Sequence, residues 1–227
     1  GDSHYVAAQG RVALVVHNTT TVASLEIATP HIAYGDKVTL SARVEASDSP
    51  LTPTGRVRVE LRDGTPGAVR LLAEGALSDG EVDFEVSAPA PGSYTVVAVY
   101  VPEAGHSPAS SSALSLVVPA AETEVEIEPV TTEYGTAFEL VARARISGTA
   151  EPAPGRITFR DSAGDALPGG SDVEVDELGI ARLSVEGTRF RPGTTAVRAE
   201  YLGTEQWAPS QSTVSVEVQR ARPVVEW

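Results

Sequence analysis

The sequence predicts an all-β protein organised as two β-sandwiches in tandem. Three observations predict it. Apolar and polar residues alternate at period two along most of the chain, in runs bounded by Gly, Pro, Ser and Asp, which is the pattern of half-buried strands. Helical periodicity is hard to find. The chain also repeats itself at a period of about 100 residues, the size of one ordinary domain.

The repeat shows first in short motifs. Tyr34-Gly35 returns as Tyr134-Gly135, and Pro53-Thr54-Gly55-Arg56-Val57 returns as Ala153-Pro154-Gly155-Arg156-Ile157. Pro91-Gly92-Ser93-Tyr94 returns as Pro192-Gly193-Thr194-Thr195, and a string ending in Tyr100 returns ending in Tyr201.

The strands follow in order. Val38, Leu40, Ala42 and Val44 alternate as Phe138, Leu140, Ala142 and Ala144 do. Val57 and Val59 match Ile157 and Phe159; Val82, Phe84 and Val86 match Ala181, Leu183 and Val185. Val96, Ala98 and Tyr100 match Val197, Ala199 and Tyr201, and Leu114, Leu116 and Val118 match Val214, Val216 and Val218. Successive side chains of a strand point to opposite faces, so each set presents one apolar face. Together they supply the two inner faces that a sandwich needs.

The ends of the chain fit the same frame. Val12, Leu14 and Val16 align with Leu114, Leu116 and Val118, so residues 1–17 are expected to be the last strand of a preceding, truncated repeat. Two whole repeats follow, 18–119 and 120–220. Residues 221–227, with Arg222-Pro223-Val224-Val225-Glu226-Trp227, are expected to open a further truncated repeat, as Thr123-Glu124-Val125-Glu126-Ile127 opens the second. The joints His17-Asn18-Thr19-Thr20, Pro119-Ala120-Ala121-Glu122 and Gln219-Arg220-Ala221-Arg222-Pro223 are short. Few residues leave few free dihedrals, so an elongated, semi-rigid rod is expected. Each repeat would extend it by ~35 Å at about 3.4 Å per residue.

In order, each copy reads Tyr-Gly, an alternating strand, Pro-x-Gly-x-Val/Ile, Gly before a strand, Pro-Gly, and a strand ending in Tyr. Gly1-Asp2-Ser3-His4-Tyr5 is similar to a Gly-Asp-x-x-Tyr that follows that tyrosine. This ordered set resembles the bacterial immunoglobulin-like domains of group 3, found in tandem on secreted and surface proteins. The resemblance covers nearly the whole chain. It implies tandem immunoglobulin-like β-sandwiches of about seven antiparallel strands each. It also implies an extracellular spacer or stalk, or an adhesive module whose exposed loops hold a host protein or glycan. Similar arrays serve as accessory segments of secreted enzymes and as components of phage particles or filaments. Thr195 stands opposite Tyr94, so any tyrosine corner hydrogen bond of this fold is expected to be missing from the second repeat. The Gly-Asp step is Glu103-Ala104-Gly105 in one copy and Gly203-Thr204-Glu205 in the other, which argues against a Gly-Asp site in every repeat.

Composition excludes several functions. The formal charge is −14, with one lysine (Lys37) against sixteen arginines. Such a chain repels nucleic-acid phosphates and anionic lipid, so neither is an expected partner. No apolar run approaches the roughly 18 residues of a membrane span, so no direct membrane insertion is expected. With no cysteine there is neither a disulfide nor a thiolate metal site. With no methionine, the native start is expected to lie upstream of Gly1.

Each residue pattern that could carry chemistry has a plainer reading. Glu122, Glu124, Glu126 and Glu128 alternate with Val125 and Ile127; they are expected to form a solvated edge that blocks sheet-to-sheet aggregation. Asp172, Glu174 and Asp176 sit at spacing two with Glu177 beside them, but strand spacing spreads alternate carboxylates ~7 Å apart. Calcium needs six to eight oxygens from a loop that curls around it. None of His4, His17, His31 and His106 is paired at zinc-ligand spacing. Asp2-Ser3-His4 has the residue types of a triad, yet neighbours on a strand face opposite ways and a triad is assembled from separate loops. Lys37 and Asn18 are the residue types of a Lys–Asn isopeptide staple, which the second repeat, with Ala137 opposite Lys37, does not repeat. Asn18-Thr19-Thr20 fits a glycosylation acceptor, a chance match in a bacterial chain. Tyr5 and Trp207 are expected to plug the joints between neighbouring repeats. No catalytic, cofactor-binding or metal-binding residue is predicted, and the chain is not expected to be an enzyme.

Overall fold

In a computed structural model, the structure describes residues 11–12, 17–29, 31–65 and 67–221. Every regular element among them is a β-strand. The first sandwich consists of β1 (Thr21–Ile27), β2 (Lys37–Ala46), β3 (Gly55–Arg62), β4 (Arg70–Ala76), β5 (Glu81–Ser87), β6 (Gly92–Pro102), β7 (Ala109–Ser110) and β8 (Leu114–Val118). One sheet has the order β1-β2-β5; the other has β4-β3-β6-β7, with β8 also on β6. β7 and β8 are two halves of one last strand. Buried Ser111 interrupts it: its N–H donates to the Ala98 carbonyl at 2.9 Å, and its hydroxyl accepts from the Ala98 N–H at 3.0 Å. The side chain thus replaces a backbone acceptor in the ladder.

The second sandwich consists of β9 (Thr123–Ile127), β10 (Val130–Glu133), β11 (Phe138–Ile146), β12 (Arg156–Arg160), β13 (Val173–Glu174), β14 (Ile180–Val185), β15 (Gly193–Tyr201) and β16 (Ser210–Gln219). Its sheets are β14-β11-β9 and β10-β16-β15-β12-β13. The chain divides into two compact units. The first holds residues 38–86 and 94–116 with the chain before His31; the second holds everything from Val117 on, together with 31–37 and 87–93.

Period-two alternation becomes burial. β1 buries Thr21, Ala23 and Leu25, and β3 buries Val57, Val59 and Leu61, while their neighbours face outward. Among the described residues, the core of the second sandwich draws on those between Val125 and Val218, with Leu140, Ile157, Phe159 and Tyr201 fully buried. Burial of such side chains stabilises by about 1.5–3 kcal/mol each.

One expectation needs correction. The strands are not all antiparallel: β10 runs parallel to β16, with Val130 opposite Val216. The cause lies in Glu128-Pro129. β9 pairs antiparallel with β11 up to Ile127, but a proline has no N–H to continue a ladder. The leading strand therefore leaves one sheet there and joins the edge of the other.

A tyrosine hydrogen bond does recur in both repeats, made by residues other than Tyr94 and Thr195. Tyr100 donates from Oη to the Thr54 carbonyl at 2.6 Å, and Tyr201 to the Pro154 carbonyl at 2.7 Å. Each bond ties the end of one strand to the turn that opens another, and the Pro-x-Gly motif explains the approach. A Cβ on Gly155 would lie 2.9 Å from the Tyr201 ring, and Gly155 has φ +151°. Only glycine lets the backbone pass there unstrained.

A second repeated device was not foreseen. The Thr21 hydroxyl donates to the Ser107 carbonyl and the Thr123 hydroxyl to the Ala208 carbonyl, each at 2.7 Å. Thr19 bridges His106 in parallel, as Ala121 bridges Trp207. Each leading segment is thereby stitched to the loop before the last strand. The predicted strand at 1–17 falls outside the described residues apart from Arg11, Val12 and His17, and that at 221–227 apart from Ala221.

Candidate functional site

The acidic stripe lies as the alternation placed it: Glu124 and Glu126 face outward from β9 while Val125 and Ile127 are buried. It is not uniformly negative. Arg145, opposite Glu124 on β11, reaches Glu124 at 2.8 Å and Glu126 at 3.6 Å. Bonding to Glu124 first, and the nearby charges second, hold the Arg145 guanidinium above its usual pKa.

The second acidic cluster is a turn. Asp176 Oδ1 accepts from the N–H groups of Leu178 and Ile180, each at 2.9 Å, so its carboxylate is used on its own backbone. Among the described residues no three His, Cys, Asp or Glu side chains are grouped as a metal ion would require.

Lys37 is exposed and donates to Ser87 Oγ at 3.2 Å; Asn18 is exposed as well. His17 and His31 are exposed, whereas His106 is 7% accessible. Its Nδ1 faces the Ala104 carbonyl at 3.2 Å, which places the proton on Nδ1; Nε2 is buried without a partner. Trp207 is half-buried, and its ring meets that of Tyr34 edge-on at 5.4 Å within the second unit. Tyr5 and Asp2-Ser3-His4 lie outside the described residues.

The arrangement that sequence reasoning missed is on the outer face of the five-stranded sheet of the second unit. A groove of about 400 Å³ there is lined by Asp161, Ser162, Ala163, Gly164, Ala196, Arg198 and Thr213. The turn after β12 forms one wall. Asp161 Oδ1 accepts from the N–H groups of Ala163 and Asp165, at 3.0 and 3.1 Å, which shapes Asp161-Ser162-Ala163-Gly164-Asp165. Arg189 donates to Asp161 Oδ2 at 2.9 Å.

On the sheet itself Arg160 lies directly opposite Arg198. Arg160 bonds Glu200 and the Gly164 carbonyl. Arg198 makes no ion pair among the described residues, and its Nε is buried with no acceptor. The alternation does put Arg198 on the outer face. What it does not supply is the cross-strand register, which sets Arg160 opposite Arg198 and Thr158 opposite Glu200; Glu200 then pairs diagonally with Arg160.

A larger groove in the first unit, about 550 Å³, contains Arg43, Ser41, Glu81 and Asp83. There the cation is spent: Arg43 pairs with Glu45 at 2.7 Å and Glu81 at 3.2 Å, and Ser41 bonds Asp83.

Comparison with known proteins agrees with the architecture. The family model of the bacterial Ig-like domain (group 3) matches residues 24–119 and again residues 125–219. No curated protein matches. Among solved structures, the chain is similar to the fibronectin(III)-like modules of Clostridium thermocellum CbhA at 17% identity, over 89% of this chain and 98% of that one, with a TM-score of 0.36. It is similar to the Yersinia pseudotuberculosis adhesin InvE at 18% identity, over 88% of this chain and 58% of that one, with a TM-score of 0.35. It is also similar to the N-terminal four Ig domains of Dscam1 isoform 9.44 at 12% identity, over 91% and 47%, with a TM-score of 0.38.

Proposed function

The chain belongs to the bacterial Ig-like domain family of group 3, and from that premise we propose that it is an extracellular, non-catalytic spacer that carries other parts of its parent protein away from a bacterial surface. Domains of this kind are generally non-catalytic, and a tandem of them supports a structural or adhesive role. The observation that carries the reading is the duplication itself. The family model matches twice in tandem, and the features that recur in both copies are structural: the tyrosine bonds of Tyr100 and Tyr201 and the threonine stitches of Thr21 and Thr123. A segment whose repeated features all serve closure of its sandwiches is suited to setting distance. Its partners in this reading are the neighbouring Ig-like repeats of the same chain, with a host protein or glycan as the adhesive partner.

Antibody raised against this chain tests the proposal on the source bacterium. Labelling of intact cells, abolished by mild protease treatment, is expected. Labelling only after lysis would overturn the extracellular reading. Small-angle scattering of the purified chain tests the spacer geometry: a maximum dimension near twice that of one repeat is expected, and a compact particle would refute it.

A further inference from the structure

We propose that the groove beside Arg198 binds a compact, polyhydroxylated carboxylate, the chemistry of an acidic sugar residue. The proposal stands apart from the spacer reading, which cell labelling decides separately.

Three observations carry it. First, buried polar groups are almost always partnered, so one that is not calls for an explanation. Arg198 Nε is buried and has no acceptor among the described residues, while the rest of the Arg198 side chain borders an open groove. With Nε shut away from any acceptor, the terminal guanidinium N–H groups are the donors that an oxygen in the groove would meet.

Second, the local charge is uncompensated. Asp161 is spent on Arg189 and on two backbone N–H groups. Arg160 is spent on Glu200. What remains is one positive charge on Arg198, held directly opposite a second arginine, an arrangement that costs stability unless an anion relieves it. One unpaired cation matches one carboxylate, and the planar guanidinium fork suits carboxylate geometry. The acidity of the rest of the chain does not forbid this, because the Debye length is only about 8 Å at physiological ionic strength.

Third, the feature is peculiar to the second repeat. In the first, the positions corresponding to Arg160 and Arg198 are Glu60 and Val97, themselves cross-strand partners. The sandwich therefore closes without the arginine pair, which is not part of the common scaffold. The groove volume of about 400 Å³ suits one sugar ring. The Ser162 and Thr213 hydroxyls in its lining can meet ring hydroxyls. No aromatic ring lines it, so a neutral sugar would find neither a stacking platform nor a charge.

The test is an NMR titration of the whole chain, following the backbone amide resonances of Ser162, Gly164 and Ala196 in the groove lining. The probes are sodium glucuronate and N-acetylneuraminate, with glucose, acetate and inorganic phosphate as controls. A saturable shift of these resonances is expected for the two acidic sugars, with a Kd of roughly 1 mM, and none for glucose. Arg198→Met should abolish it, and Thr213→Val should weaken it several-fold; circular dichroism checks that both variants remain folded. Absence of a saturable shift up to tens of millimolar acidic sugar would overturn the proposal. So would an unchanged response in folded Arg198→Met. Acetate or phosphate binding as tightly as the sugars would reduce the groove to a simple anion contact and overturn the sugar assignment.

Discussion

The Tyr201 hydroxyl donates to the Pro154 carbonyl at 2.7 Å, and Tyr201 itself is fully buried. This pair joins the last residue of β15 to the turn before β12. Removing the donor leaves a carbonyl without its partner. Tyr201→Phe keeps the ring packing and is expected to destabilise the second unit by about 1–3 kcal/mol. Tyr100→Phe should do the same in the first unit through Thr54. Thermal or denaturant unfolding of the two variants checks both values.

The same tyrosines predict alkaline sensitivity. Burial pushes the phenol pKa of Tyr201 up, and burial followed by the nearby Glu103 charge pushes up that of Tyr100. A raised folded pKa means that the native state holds its proton where the unfolded chain has lost it. The stabilisation is therefore complete below about pH 10, the pKa of an unperturbed tyrosine, and is lost as pH rises through the folded value. Unfolding midpoints should fall above that pH. The fall should be shallower in the Tyr100→Phe, Tyr201→Phe double variant.

Gly155 tests why the Pro-x-Gly motif recurs. Its added Cβ would meet the Tyr201 ring at 2.9 Å, and its φ of +151° is foreign to other residues. Gly155→Ala is expected to cost about 1–3 kcal/mol from backbone strain alone, and the steric clash adds to it. Gly135, at φ +92° with nothing within 4 Å of an added Cβ, carries strain without the clash. Gly135→Ala should therefore cost less, and equal losses in denaturant titrations would refute the contact argument.

Much of this fold is legible in the sequence because burial follows a period of two. Val57, Val59, Ile157 and Phe159 alternate in the sequence and are all fully buried. Tyr100, near the end of β6, and Tyr201, the last residue of β15, are visible as repeated residues, but their bonds are not. A hydroxyl reaching a carbonyl more than forty residues away depends on how the sandwich closes, which the repeated tyrosine does not encode. The sheet switch at Pro129 was readable in principle, since proline ends a ladder, but the parallel partner required the register of β16. Arg198 was hidden for the same reason: only the register sets it opposite Arg160, and only the packed side chains give Glu200 to Arg160 across the diagonal.

Separate cores predict separate unfolding. Among the described residues, the core of the second sandwich contains none before Val125. Phe159→Ala removes a fully buried ring and is expected to cost about 3–5 kcal/mol. Calorimetry should show one transition moving to lower temperature while the other stays in place. A single transition that shifts as a whole would mean that the two units unfold as one.

The paired acids of β9 make a final prediction. β9 ends its sheet, next to β11 alone, so its outer backbone groups are a template for another strand. Edge strands of this kind are kept from pairing by charge. Glu124 and Glu126 supply that charge, anchored by Arg145. Replacing both by valine gives β9 apolar residues on each face while leaving Val125 and Ile127 in the core. Glu124→Val with Glu126→Val is therefore expected to associate as concentration rises, whereas the parent chain stays dispersed under the same conditions. Sedimentation velocity across a concentration series checks this. A double variant with a constant sedimentation coefficient would show that the carboxylates do not guard the edge.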